Sequence, residues 1–221
     1  MSSATVCAMA PEQGLRERKK QRTRLLISET ARRLFVERGF DAVTVAEVAR
    51  EADVSEGTVF NYFPTKEDLF YSGTEAFEAQ LIDALGSRPA GEAVLDAFRR
   101  VVLAGIPRLA RDDAVDLAAT AARIIGSSRA LRAREREIVA RYTEDLAALI
   151  AKEAGRPAVD VEATAVAAAL MGVQRALIAY VHASVLEGGR GAKLAADARS
   201  QAKRAFARLE QGLSDYGIKR G

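Results

Sequence analysis

The segment Thr44–Leu69, TVAEVAREADVSEGTVFNYFPTKEDL, constrains the fold more than any other part of the chain. Thr44, Ser55 and Thr65 each stand just before a run of helical apolar spacing. A hydroxyl at that position accepts a hydrogen bond from one of the first-turn amides that a helix leaves unpaired. Glu47, three residues after Thr44, completes a capping box. Pro64 cannot continue a helix and restricts the residue before it, so the third helix must close by Phe63. The spacing predicts a short helix from Val45, a turn at Ala52-Asp53-Val54, a helix over Glu56–Phe63 and a further helix capped by Thr65.

Helices of two turns do not persist alone in water, so these must share a core with a longer one. That partner is predicted over Thr23–Arg38, where Ile27, Ala31, Leu34 and Phe35 recur on one face. Gly39 follows in the left-handed stop position. Val45, Val48 and Ala49 supply the inner face of the second helix. In the third, Val59, Phe60 and Phe63 are expected to fill the back as core residues. Ser55, Glu56, Gly57, Thr58, Asn61 and Tyr62 are then left on the outside.

This outer set suits a helix that enters the major groove of DNA. Gly57 lets the backbone approach closely. Thr58 offers a hydroxyl or a methyl, Asn61 can pair bidentately with adenine, and Glu56 can accept from cytosine or repel phosphate. The Tyr62 hydroxyl can reach a phosphate. Thr44 and Lys66 lie in helix N-terminal turns, where free amides favour anions. Upstream, Arg16, Arg18, Lys19, Lys20, Arg22 and Arg24 are offset only by Glu17. Alone such a run is a solvated arm; before this motif it reads as a phosphate-seeking one, with Arg22 and Arg24 nearest the reader. The net charge of +3 would not by itself suggest nucleic acid.

The rest of the chain continues in helical period, with no window of strand-like alternation, so the fold class is all-α. A fourth helix is expected from Thr65 through Leu69, Phe70, Leu81 and Leu85 as one continuous piece. Five more are expected at roughly 91–107, 113–125, 128–154, 160–187 and 192–213. The resulting organisation is a disordered tail over 1–14, a DNA-binding domain over 15–70 and a helical domain over 71–215. In the penultimate helix Ala163, Ala167, Leu170, Gln174, Leu177, Val181 and Val185 form one stripe. Ala165, Ala168, Gly172, Ala176, Ala179 and Ala183 form a second, of small residues, so this helix must be buried on two faces. Leu194, Ala198, Ala202, Ala205, Leu209 and Leu213 give the last helix a stripe of its own.

Cys7 is the only cysteine and His182 the only histidine. No intramolecular disulfide can form, which fits a reducing cytoplasm. Most His/Cys metal clusters are excluded, and no motif of catalytic chemistry is present. The expectation is a non-enzyme without metal or cofactor. No apolar run approaches the ~18 residues of a membrane span, and the N-terminus lacks a signal-peptide pattern.

Together these motifs resemble the DNA-binding domain of the TetR (tetracycline-repressor-like) family of bacterial regulators. The resemblance rests on Thr44, Glu47-Val48-Ala49, Val54-Ser55-Glu56-Gly57-Thr58-Val59-Phe60, Tyr62-Phe63 and Lys66-Glu67-Asp68-Leu69, and covers about Arg22 to Tyr71. Asp53 departs from the family's usual Gly in the turn, although Asp tolerates the left-handed conformation. Asn61 stands where the family often has His or another polar residue, which bears on which bases are read. The resemblance implies a homodimer formed through the last two helices and a near-palindromic DNA operator. It also implies a small-molecule effector whose binding releases the DNA, making the chain a repressor. Thr44, Tyr62 and Lys66 would hold phosphates; Ser55, Gly57, Thr58 and Asn61 would lie nearest the bases. Phe98, Tyr142, Met171, Gln174 and Ile178 are the effector-pocket candidates by helical phase. The alternative is an interaction adaptor whose helix-turn-helix no longer binds DNA.

Overall fold

The computed structural model describes residues 11–213. They form ten α-helices and one 3-10 segment: α1 (Pro11–Arg38), α2 (Val45–Glu51), α3 (Glu56–Tyr62), α4 (Lys66–Tyr71), α5 (Thr74–Gly86), α6 (Val94–Gly105), the 3-10 segment Ile106–Ala110, α7 (Asp112–Ser127), α8 (Arg129–Glu153), α9 (Val161–Leu186) and α10 (Gly191–Leu213). No strand occurs among the described residues. The chain divides into two compact units, one ending at Ser72 and one beginning at Gly73.

In the first unit α1 is longer than its apolar face required. It begins at Pro11, so the basic residues from Arg16 to Arg24 are turns of a helix rather than an irregular arm. The last four residues of the expected 1–14 tail are therefore helical; Met1–Ala10, including Cys7, lie outside the described residues. Ile27, Ala31, Leu34 and Phe35 are buried as their spacing predicts. Gly39 takes the left-handed conformation at φ +82° and donates to the Phe35 carbonyl at 3.0 Å. The chain then folds back so that Phe40 meets Phe35 with ring centroids 5.0 Å apart. Phe70 of α4 closes the cluster, 6.3 Å from Phe35 and 6.2 Å from Phe40. Tilted aromatic pairs of this kind contribute about 0.5–1.5 kcal/mol beyond their buried area. They fasten α4 onto α1.

The expected continuous fourth helix is two helices. Ser72 turns its hydroxyl back onto the Leu69 carbonyl at 3.0 Å, and Gly73 follows, a poor helix former. The helix stops at Tyr71 and restarts at Thr74. A second division falls at Pro107, where the expected 91–107 helix tightens into the 3-10 segment.

In the second unit α9 is the central helix, packed against α6, α7, α8 and α10. Ala163, Ala167, Leu170, Val181 and Val185 of its first stripe are buried. Every residue of its second stripe, Ala165, Ala168, Gly172, Ala176, Ala179 and Ala183, is exposed. The last helix behaves differently: Leu194, Ala198 and Ala202 are buried inside the unit, and Phe206 meets Phe98 of α6 at 6.2 Å. Its stripe is thus used within the chain; the side chain of Leu213 lies outside the described residues. One sequence expectation needs correction. By length and composition alone, with an 18-residue window of mean hydropathy 1.5, Val161–Leu186 is apolar enough to cross a membrane. Alanines raise the hydropathy here without forming a run of large apolar side chains, and the helix packs against four others.

Arg88 ties the connection between α5 and α6 to the C-terminal end of α8. Its side chain is fully buried and its guanidinium meets Glu153 at 2.5 Å. It also donates to the carbonyls of Leu85 at 2.8 Å and Glu92 at 3.0 Å. Removing one member of a buried pair leaves an uncompensated charge. Arg88→Ala is therefore expected to lower stability by about 3 kcal/mol in urea denaturation. Arg100→Ala, which breaks the exposed pair with Glu92, should cost no more than about 1 kcal/mol. Equal losses would contradict this assignment.

Candidate nucleic-acid interface

The site is built on the turn between α2 and α3. Asp53 adopts φ +53°, the left-handed conformation expected where the family has Gly. The Val54 amide then reaches the Ala49 carbonyl at 2.9 Å and the Asp53 amide reaches that of Arg50 at 3.3 Å. This double return closes α2 and reverses the chain within three residues. Ser55 starts α3: its hydroxyl accepts from the Thr58 amide at 3.0 Å and lies 2.8 Å from the Thr58 hydroxyl. Val59 and Phe63 are buried and hold the helix against the domain. Ser55, Glu56, Gly57 and Asn61 are exposed, and Thr58 and Tyr62 are half-buried.

Phe60 does not join the core as expected; it is 47% exposed. At about 100° of rotation per residue it lies a quarter-turn round from Val59. Phe63, where the chain leaves the helix, takes the space behind α3. Sequence spacing could not distinguish the two phenylalanines, because the distinction depends on where α3 ends.

Arg24 is also redirected. Its guanidinium donates to the Tyr62 carbonyl at 2.9 Å and lies 4.5 Å over the Phe63 ring. It is a clamp on the C-terminal end of α3, where a cation meets the helix dipole favourably. No linear signal identifies this contact, made across 38 positions of sequence. Arg22, two residues earlier, is exposed, as are Arg16, Arg18, Lys19 and Lys20.

The two flanking helix starts are more self-contained than expected. Thr44 caps α2, and its hydroxyl both accepts from the Glu47 amide at 3.2 Å and donates to the Glu47 carboxylate at 2.9 Å. The Thr44 amide donates to the same carboxylate at 2.8 Å, and Arg38 binds its other oxygen at 2.8 Å. Thr65 and Asp68 form the same box on α4. In both helices a carboxylate therefore sits where a phosphate was expected to find free amides. Lys66 rests 4.2 Å over the Phe40 ring. Partial burial pulls its pKa below the usual lysine value against the opposing pull of Asp41, Glu67 and Glu47.

The pocket candidates are not all alike. Phe98, Tyr142 and Met171 are buried. Gln174 keeps its carbonyl oxygen buried with no hydrogen-bond partner. Ile178, at 37% exposure, is not buried with the other candidates. Tyr142 accepts from Arg141 at 3.0 Å. His182 is half-buried, and burial lowers its pKa below the ordinary histidine value. A recess of about 360 Å³ lies elsewhere, lined by Ala84, Ser87, Arg88, Pro89, Glu92 and Arg100. Its two arginines are already paired with Glu153 and Glu92. Among the described residues no group of three His, Cys, Asp or Glu side chains could hold a metal ion.

Two short capped helices joined through a left-handed turn, the second presenting small polar side chains outward, define a helix-turn-helix protein. The family described as "Bacterial regulatory proteins, tetR family" matches residues 27–72. The chain is 37% identical over 93 residues to the HTH-type transcriptional regulator TcmR of Streptomyces glaucescens, covering 40% of this chain and 41% of the relative. It is 32% identical over 112 residues to the HTH-type transcriptional repressor KstR of Rhodococcus jostii, covering 51% and 52%. The chain thus spans about half the length, or less, of these curated relatives. In fold it is similar to NalD, the secondary repressor of the MexAB-OprM multidrug efflux pump in Pseudomonas aeruginosa. That match has a TM-score of 0.54 at 19% identity and covers 86% of this chain and 96% of NalD. Residues 27–72 thus carry the DNA-binding segment of the tetR family.

The capping box carries a pH signature. The Thr44 amide, then Arg38 and the Thr44 hydroxyl, hold the Glu47 carboxyl at about 2 against an ordinary value of 4.5. A carboxyl depressed in the folded state stabilises above its unfolded pKa, and that contribution is lost as pH falls toward the folded value. Glu47→Gln should therefore melt lower than the parent at neutral pH, with the gap closing between pH 4.5 and 2. A gap independent of pH would show that the box does not stabilise through its charge.

Proposed function

We propose that this chain is a transcriptional regulator that binds a near-palindromic operator as a homodimer and is released from it by a small-molecule effector. The observation that carries the reading is the outward face of α3. Ser55, Gly57, Thr58 and Asn61 project small or hydrogen-bonding groups there, while Val59 and Phe63 anchor the helix from behind. Such a face offers donors, acceptors and a methyl to base edges in the major groove. Glu56, at the start of α3, discriminates by accepting from cytosine or by repelling phosphate. Arg22, Tyr62 and Lys66 take phosphate contacts that fix register without reading sequence, while Thr44, whose amide and hydroxyl both donate to Glu47, holds the start of α2. Arg24 acts one step back, by fixing the end of the reading helix.

Dimerisation is supported by the exposed small stripe of α9. From Ala165 to Ala183 it runs about 27 Å at 1.5 Å per residue, and small side chains let a second helix approach closely. A second copy of α9 is the partner this face suits, with the polar outer side of α10 flanking it. Repression rests on kinship, since KstR and NalD are both described as repressors. For the effector, Phe98, Tyr142 and Met171 provide apolar walls, and the buried Gln174 oxygen offers an acceptor to a ligand donor. The protein would work in the cytoplasm, where its operator is.

A footprint over the DNA surrounding the protein's own gene tests the reading. Two protected half-sites about 34–36 Å apart are expected. No protected site at any concentration that occupies random duplex would favour the interaction adaptor. Sedimentation tests the assembly separately: a dimer at micromolar concentration is expected, and Ala176→Arg should convert it to monomer. A parent protein that sediments as a stable monomer would remove the α9 interface.

A further inference from the structure

Two features of α3 are not explained by the fold. The first is Phe60, 47% exposed on a helix whose other apolar residue, Val59, is buried. The second is Gly57. Its φ is not in the left-handed region, and a Cβ there would meet only the Ser55 hydroxyl, at an ordinary 3.8 Å. Neither backbone conformation nor packing requires glycine, yet glycine weakens a helix by about 1 kcal/mol relative to alanine. At 100° per residue, Gly57 and Asn61 lie at the centre of the outer face, with Phe60 and Thr58 on its two flanks. The missing side chain and the bare ring are therefore neighbours, one turn apart.

We propose that Phe60 reads a thymine by seating its ring against the C5-methyl group, with Gly57 allowing the approach. This rests on the DNA-binding reading above. A phenyl ring has no hydrogen-bonding group, so it gains nothing specific from a phosphate or from a donor or acceptor on a base edge. The thymine methyl is the apolar group that the major groove displays. Ring–methyl contact excludes water from both and is selective against cytosine, which lacks the methyl. Gly57 matters because any side chain at that position would hold the helix axis away from the bases. Phe60 thus acts as a specificity-determining residue on a face otherwise made of polar or small groups.

The test uses the full chain and its footprinted operator. Thymines in each half-site are replaced singly by deoxyuridine, which removes the methyl and leaves base pairing intact. Affinity is then measured for the parent and for Phe60→Ala. Burial of one methyl corresponds to about a four-fold change in affinity per half-site. One thymine position should show that loss with the parent and none with Phe60→Ala, while other positions affect both proteins equally. Phe60→Ala should melt at the parent's temperature, as suits an exposed side chain. Gly57→Ala should melt at or above it yet bind the operator more weakly. If the parent binds the operator and every deoxyuridine affects parent and Phe60→Ala alike, the thymine contact is refuted while DNA binding stands. A large drop in the melting temperature of Phe60→Ala would also refute it, because the ring would then be a packing element. If the parent binds no duplex at all, the DNA-binding reading fails first.

Discussion

The left-handed turn at Asp53 is the constraint on which the DNA-reading domain depends. α2 is closed by its return hydrogen bonds, and α3 begins two residues later. An L-residue in this conformation costs roughly 1–2 kcal/mol, less for Asp because its short side chain tolerates the geometry. With that residue in the extended region, Ser55 would cap a helix pointing elsewhere. Val59 and Phe63 would lose their seat, and the polar face would not turn outward. The helix is too short to set its own direction, so the turn and the Arg24 clamp set it from its two ends.

Several parts of this arrangement are legible in the linear chain because they obey local rules. The caps at Thr44, Ser55 and Thr65 and the left-handed Gly39 and Asp53 depend on residues no more than a few positions apart. The core of α1 follows from the 3.6-residue period and needs no tertiary information. The parts that were not legible are tertiary. Phe60 and Phe63 fit the same period, and only the end of α3 at Tyr62 separates the exposed ring from the buried one. Arg24 belongs by composition to a basic run, yet its position on α1 brings it to the Tyr62 carbonyl. The break between α4 and α5 depends on a single hydroxyl folding back on the chain, which periodicity does not reveal.

The same contrast runs through the second unit. Two apolar stripes on α9 imply two buried faces, but a single chain covers only one of them. The stripe on α10 reads alike in sequence and is consumed internally by packing that includes Phe98 and Phe206. Small side chains distinguish the two cases: an alanine–glycine face makes little contact area unless another helix comes very close. Charge is handled in a corresponding way. The capping carboxylates Glu47 and Asp68 are committed to their own helix starts, while the exposed cations of α1 and the outer face of α3 stay open to a polyanion.

On the proposed reading, the outer face of α3 reads sequence while the surrounding cations only position it. The most direct measurement is the ratio of affinities for the operator and for a random duplex of equal length, followed across a salt series. Phosphate contacts weaken with salt on both duplexes, whereas base contacts keep them apart. A preference for the operator of at least about a thousand-fold is expected at physiological salt. Equal affinity for the two duplexes at every salt concentration would contradict it.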